Sequence, residues 1–220
     1  GGARMCHLQH SCFISSRPQP QSEIGERFIE DLCTGLRNEL AIQVKEDIYV
    51  DRERMKGGDF FNAELASALC RSVCMIVIYT PQYFSREHPY CAREFLGMEQ
   101  IEQRRYAAMP DNKKDKQRGL IIPVVLRGAD RIPAYIKDRR HFYSFENFSL
   151  VSRKLSRNPQ TEKIVRDISK AVIGCREALA ECGPDALEMC KDFEFPSNDK
   201  VEHLLSVVAS APQQFPLRPA

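Results

Sequence analysis

Apolar residues recur at every fourth position through Ile24, Phe28, Leu32, Leu36 and Leu40. That spacing sets them on one face of a helix, and Ser22 stands where an N-cap belongs. Ahead of it, Cys12-Phe13-Ile14-Ser15 predicts a short strand, and the polar, proline-bearing residues 16–21 predict a loop. Residues 44–50 predict a second strand that ends at Asp51, followed by a charged loop with Gly57-Gly58 near its end. A helix follows, with Phe61, Leu65, Ala68 and Leu69 facing inward. Residues 73–79 are apolar throughout, which predicts burial on both faces, as at the centre of a parallel sheet. Residues 80–90 form a loop with Pro81 and Pro89, and residues 91–105 a helix with Phe95, Met98 and Ile101 inside. Residues 120–126 predict another buried strand. Its Pro123 cannot donate to a ladder, so it belongs near a bulge or an unpaired edge. A last short strand is expected at residues 141–145. Asn158-Pro159 then opens a helix with Ile164, Ile168, Val172, Cys175 and Leu179 on one face.

Strands thus alternate with helices, which predicts right-handed βαβ units and a parallel sheet covered on both faces. Such sheets bind ligands at the carboxyl ends of their strands. Here those ends are Ser15-Ser16-Arg17, residues 51–60 and residues 80–94. After Leu179 the pattern changes. Gly183-Pro184 breaks the chain, two short helical patterns follow, and residues 211–220 carry three prolines and predict disorder. The expected division is residues 1–10 as a tag remnant or disordered N-terminus, 11–180 as the domain, and 181–220 as a helical or disordered extension.

Composition adds exclusions. With 43% hydrophobic and 28% charged residues, the chain is ordinary for a globular protein. A net charge of +2 makes no field that would select nucleic acid or an anionic membrane. The longest apolar run, residues 73–79, is far too short to span a bilayer. The nine cysteines are odd in number and scattered. With no signal peptide in view, a reducing cytoplasm is expected rather than a disulfide framework. Cys12, Cys70 and Cys74 read as small buried hydrophobes. Cys6, His7, His10 and Cys12 cluster in sequence, but their spacing fits no usual zinc pattern and Cys12 belongs to a core strand, so no metal is expected.

Several chemistries fail on residues. A dinucleotide-binding fold needs G-x-G-x-x-G after its first strand; this chain has Ser15-Ser16-Arg17-Pro18-Gln19-Pro20, which also rules out a P-loop there. A phosphate-accepting receiver needs carboxylates at the ends of its first and third strands, where this chain has Ser15-Ser16 and Tyr79-Thr80. No G-x-S-x-G nucleophile elbow is present.

What remains resembles the Toll/interleukin receptor (TIR) family, in ordered pieces. Phe13-Ile14-Ser15 followed by Arg17 looks like the family's opening F-I-S-Y-R, with Ser16 in place of Tyr. Ile48-Tyr49-Val50-Asp51 and then Gly58 resemble the second strand, its Asp and the glycine ending the BB loop. Ser72 with the strand after it, Pro81-Gln82-Tyr83 with Ser85, Cys91-Ala92-Arg93-Glu94-Phe95, and Leu120-Ile121-Ile122-Pro123-Val124 complete the series. The resemblance runs from about Cys12 to Ala178. It departs at Tyr90, where many members have Trp, and in a lengthened loop at residues 86–89. It implies a flavodoxin-like five-stranded parallel sheet with helices on both faces.

Many members of that family cleave NAD at the nicotinamide–ribose bond, with NAD as substrate and no cofactor or metal. The resemblance carries their catalytic glutamate onto Glu94. Nicotinamide leaves NAD neutral, so no general acid is needed, and the sugar becomes oxocarbenium-like. One ionised carboxylate near the ribose can stabilise that charge, and a place in the first turn of a helix favours its ionised form. The resemblance further implies NAD contacts from Ser16, Arg17, Gly58, Phe60 and Tyr90, with the two aromatics against the nucleotide and Arg17 on a phosphate or ribose. The alternative is a non-catalytic interaction module that signals by homotypic assembly. Self-association is expected under either reading.

Overall fold

The computed structural model describes residues 8–17, 23–50, 59–109, 111, 119–148, 155, 158–180, 182 and 189–210. Five strands form one sheet: β1 (His10–Ser16), β2 (Asp47–Val50), β3 (Ser72–Tyr79), β4 (Ile121–Val125) and β5 (Tyr143–Ser144). Their order is β2-β1-β3-β4-β5 and every pairing is parallel. The helices are α1 (Glu23–Leu40), α2 (Asp59–Cys70), α3 (Tyr90–Ala108), the single-turn α4 (Ala134–Lys137), α5 (Pro159–Ala180) and α6 (Asn198–Ser210). The flavodoxin-like parallel sheet expected from the sequence is the sheet observed.

Alternation along the strands divides the core into two layers. Cys12 and Ile14 of β1, with Cys74, Ile76 and Ile78 of β3, pack under α1 and α5. The α1 stripe Phe28, Leu32, Leu36 and Leu40 is buried there, each side chain contributing about 2 kcal/mol by leaving water. Phe13 of β1, with Met75, Val77 and Tyr79 of β3, faces the other way, onto Leu65 and Leu69 of α2 and Phe95, Met98 and Ile101 of α3. β3 is buried at all eight positions, as its unbroken apolar run requires.

β2 and β5 are both shorter than the sequence predicts. β2 begins at Asp47 rather than Val44, because the Val44 N–H donates to Leu40 O (2.9 Å) and is held in the turn that ends α1. β5 is only two residues long. That short strand accommodates Pro123. Leu126 N donates to Tyr79 O and Phe145 N to Val125 O, so odd-numbered residues of β4 point toward β5. β5 pairs only from Val124 onward, and Pro123 therefore faces the unpaired side.

Residues 189–210 fold against α2 and α3. Phe193, Val201, Leu204 and Leu205 are buried in the α2–α3 layer. Gly97 permits the approach, since a Cβ there would lie 3.0 Å from Leu69 and 3.3 Å from both Phe193 and Pro196. Cys190 forms a disulfide with Cys70, 120 residues away. Cys70 is thus not the free thiol expected from sequence; a pairing this distant becomes visible only when the chain after α5 folds back. Cys12 and Cys74 are free and buried, and burial drives the Cys12 thiol far above its ordinary range.

Candidate active site

The strand order reverses direction between β1 and β3, so the loops after these two strands flank a crevice at their carboxyl ends. Glu94 lies on one side of the sheet near that point, and Ser16 and Arg17 on the other.

On the α2–α3 side lies Glu94. It is the fifth residue of α3, which starts at Tyr90 with Pro89 as its N-cap. This is one position beyond the first turn expected from sequence, so the helix dipole acts on it more weakly. The side chain is fully buried. Its Oε2 accepts a hydrogen bond from Ser15 Oγ at the end of β1. Ser15 Oγ lies 2.6 Å from the Tyr83 hydroxyl, and both residues are fully buried. A carboxylate sealed from water keeps its charge only where donors or positive groups replace the solvent; Ser15 is one such donor. Ser15 and Tyr83 serve as motif markers in the sequence reading and carry no role there. Their signal lay in the parity of β1, which sends Ser15, like Phe13, toward α3.

Arg93 is a third residue that the sequence motif includes without giving it a role. It is buried and fixed on several sides. Its guanidinium stacks over Tyr90 (5.0 Å to the centroid) and Phe195 (4.4 Å), donates to Pro196 O (2.5 Å), and donates to Asn62 Oδ1 (3.1 Å). Burial lowers its pKa, while Tyr90 and the Glu94 charge act in the opposite sense. Tyr90 is thus half-buried beneath Arg93.

Ser16 and Arg17 stand on the other side. Ser16 follows Ser15, so its side chain turns toward α1. With Arg17, Thr80, Glu26, Ile29 and Leu126 it lines a small crevice. Arg17 donates to Gln82 O (3.0 Å), which ties the loop after β1 to the loop after β3. The fold therefore brings Glu94 together with Ser15 and Tyr83, and Ser16 with Arg17 and Thr80, with the tip of β1 between the two groups. Phe60 lies in the opening of α2 with its side chain outside the described residues, and Gly58 is outside them entirely.

α3 carries two further buried acids that belong to a different structure. Arg140 pairs with Glu102 (2.9 Å) and Glu99 (3.2 Å), the Tyr135 hydroxyl donates to Glu99, and Leu120 N donates to Glu102 (2.5 Å). Gly119 allows this closure: its φ is +64°, and a Cβ there would lie 2.6 Å from Glu102 Oε2. A cavity of about 600 Å3 opens over this network, at the amino ends of β4 and β5 and away from Glu94. Both carboxylates are paired with Arg140, and the arrangement binds α3 to the start of β4.

A doubly wound parallel sheet with a sealed carboxylate beside its switch point defines a flavodoxin-like α/β domain. The family model described as "TIR domain" matches residues 22–157, more than half of the 220 residues, and the chain belongs to the TIR domain family of signalling domains. Its similarity to a solved structure, the TIR domains of the activated Roq1 resistosome directly recognizing the pathogen effector XopQ, extends over 89% of this chain and 96% of that one, at 15% identity and a TM-score of 0.37. No curated protein matches the chain. Among the described residues, no helix is long and apolar enough to cross a membrane.

Proposed function

We propose that this TIR domain cleaves NAD at the nicotinamide–ribose bond, with Glu94 as the carboxylate that stabilises the departing sugar. The observation that carries the reading is Glu94 itself, a fully buried acid beside the carboxyl end of β1 whose Oε2 accepts a hydrogen bond from Ser15 Oγ. The other buried acids of α3, Glu99 and Glu102, are both claimed by Arg140. Nicotinamide departs as a neutral molecule, so the residue facing the ribose need only remain charged and close. Tyr90 offers an aromatic edge, and Arg17, across the tip of β1, a cation for the pyrophosphate.

Glu94 is closed to solvent in this state. Turnover therefore requires the end of β1 to open, and homotypic assembly is the event we assign to that opening. The same burial favours a second reading, in which the acid is a sealed core group and the domain signals by self-association alone. Incubating concentrated protein with NAD and following nicotinamide release by chromatography separates them. Release that depends on Glu94 supports the enzyme; a concentrated, assembled protein that releases none supports the interaction module.

A further inference from the structure

Tyr83, Ser15 and Glu94 form a line of side chains with no exposed surface. The direction of the bonds follows from chemistry. An ionised carboxylate only accepts, so the Ser15 hydroxyl donates its single proton to Glu94 Oε2. The Tyr83 phenol has one proton and two acceptors in reach, Ser15 Oγ at 2.6 Å and Cys91 O at 3.4 Å; with the Ser15 proton already given to Glu94, the phenol donates to the nearer oxygen, Ser15 Oγ. A hydroxyl that accepts one hydrogen bond is polarised toward giving a stronger one.

Both supports stand on fixed parts of the fold. Ser15 lies in register with Val77 of β3, in a strand paired on both sides. Tyr83 is anchored by its N–H to Thr80 O (2.9 Å), and its ring packs edge-on to Phe84 at 4.9 Å. Resting on the reading of Glu94 as the reactive carboxylate, we propose that Ser15 and Tyr83 are positioning residues that hold Glu94 ionised and in one orientation, so that ribosyl-bond cleavage depends on their hydroxyl groups.

Arg93, the neighbour of Glu94 on α3, is a charged group set against it; it is left unchanged in the test. Protein carrying 13C-labelled glutamate carboxyls is titrated by NMR, and the Glu94 signal is identified as the one missing from Glu94→Gln. Ser15→Ala is expected to raise the Glu94 midpoint by roughly one pH unit, since it removes a donor to the charged form. The acid limb of the kcat profile for NAD cleavage should move with it. kcat should fall about tenfold or more, with KM changed less than about threefold. Ser15→Thr, which restores the hydroxyl, should recover most of both effects. Tyr83→Phe should shift the midpoint in the same direction by less, and it carries the test alone if Ser15→Ala does not fold. An unchanged midpoint and acid limb in folded Ser15→Ala or Tyr83→Phe would overturn the proposal and reduce the pair to packing. Absence of NAD cleavage by the parent would defeat the enzymatic reading separately. In that case a raised midpoint would still show that the hydroxyls hold the charge, and an unchanged one would show that they do not.

Discussion

Cys190 meets Cys70 at the end of α2, and a disulfide joins them at a Cα separation of 5.5 Å. The bond closes a loop of 120 residues and so restricts the unfolded chain. Oxidised protein should be more stable than protein held in a dithiol reductant, or than Cys190→Ser, by on the order of 2–4 kcal/mol. For a domain of this length that is roughly 5–15 °C in melting temperature. Scanning fluorimetry with a parallel thiol count checks it. Equal melting after two thiols have appeared would show that the bond adds nothing.

The segment held by that disulfide is also gripped by Arg93. Arg93→Ala removes the bonds to Pro196 O and Asn62 and both aromatic contacts. The expected loss is about 2–4 kcal/mol, and Arg93→Lys should recover little of it, because an ammonium cannot stack and fork as a guanidinium does. Deleting residues 189–220 should likewise lower the melting temperature. Deleting residues 211–220 should not. Calorimetry on the four variants and the parent compares them, and an Arg93→Ala protein as stable as the parent would show that the clamp is idle.

Glu94→Gln keeps the size of the side chain and an acceptor for Ser15 while removing the charge. NAD cleavage should fall by roughly a hundredfold, on the order of 3 kcal/mol of transition-state stabilisation. Ground-state binding should change much less. Nicotinamide release is the assay, with circular dichroism confirming the fold. Turnover at the parent rate would remove Glu94 from the mechanism.

Because Glu94 is closed to solvent in the state described, specific activity should rise with protein concentration or crowding. Initial rates measured from nanomolar to micromolar enzyme, alongside light scattering, test this. A rate strictly proportional to enzyme over that range would mean that a single copy opens its own site.

His10 supplies a pH dependence of stability. Burial lowers its pKa below the ordinary 6.5, outweighing Asp47, with Arg71 adding to the lowering. Between the folded and unfolded pKa values the unfolded chain binds more protons, so stability falls as pH drops below about 6.5 toward the folded pKa. Glu46 and Asp167, whose pKa values are also lowered, lose their contribution only in the more acidic range below their ordinary 4.5 and 3.8. His10→Gln should flatten the dependence just below pH 6.5 and leave the lower part in place. Urea denaturation at a series of pH values would show an unchanged slope if His10 is not responsible.

Periodicity in the sequence determined the alternation of strands and helices and which of their positions are buried. The four-residue stripe of α1 and the unbroken run of β3 each answer to geometry within a few neighbouring residues. Glu94 was reachable too, through a motif local to the start of α3. The contacts that give it a chemical character were not. Ser15 reaches it across 79 residues, and its choice over Ser16 depends on which face of β1 meets α3. The pairing of Cys70 with Cys190 and the enclosure of Arg93 by Tyr90, Asn62, Phe195 and Pro196 likewise arise only when distant segments converge. Local periodicity records which face of an element is buried; which donor, thiol or ring waits on the other side is set by how those faces pack.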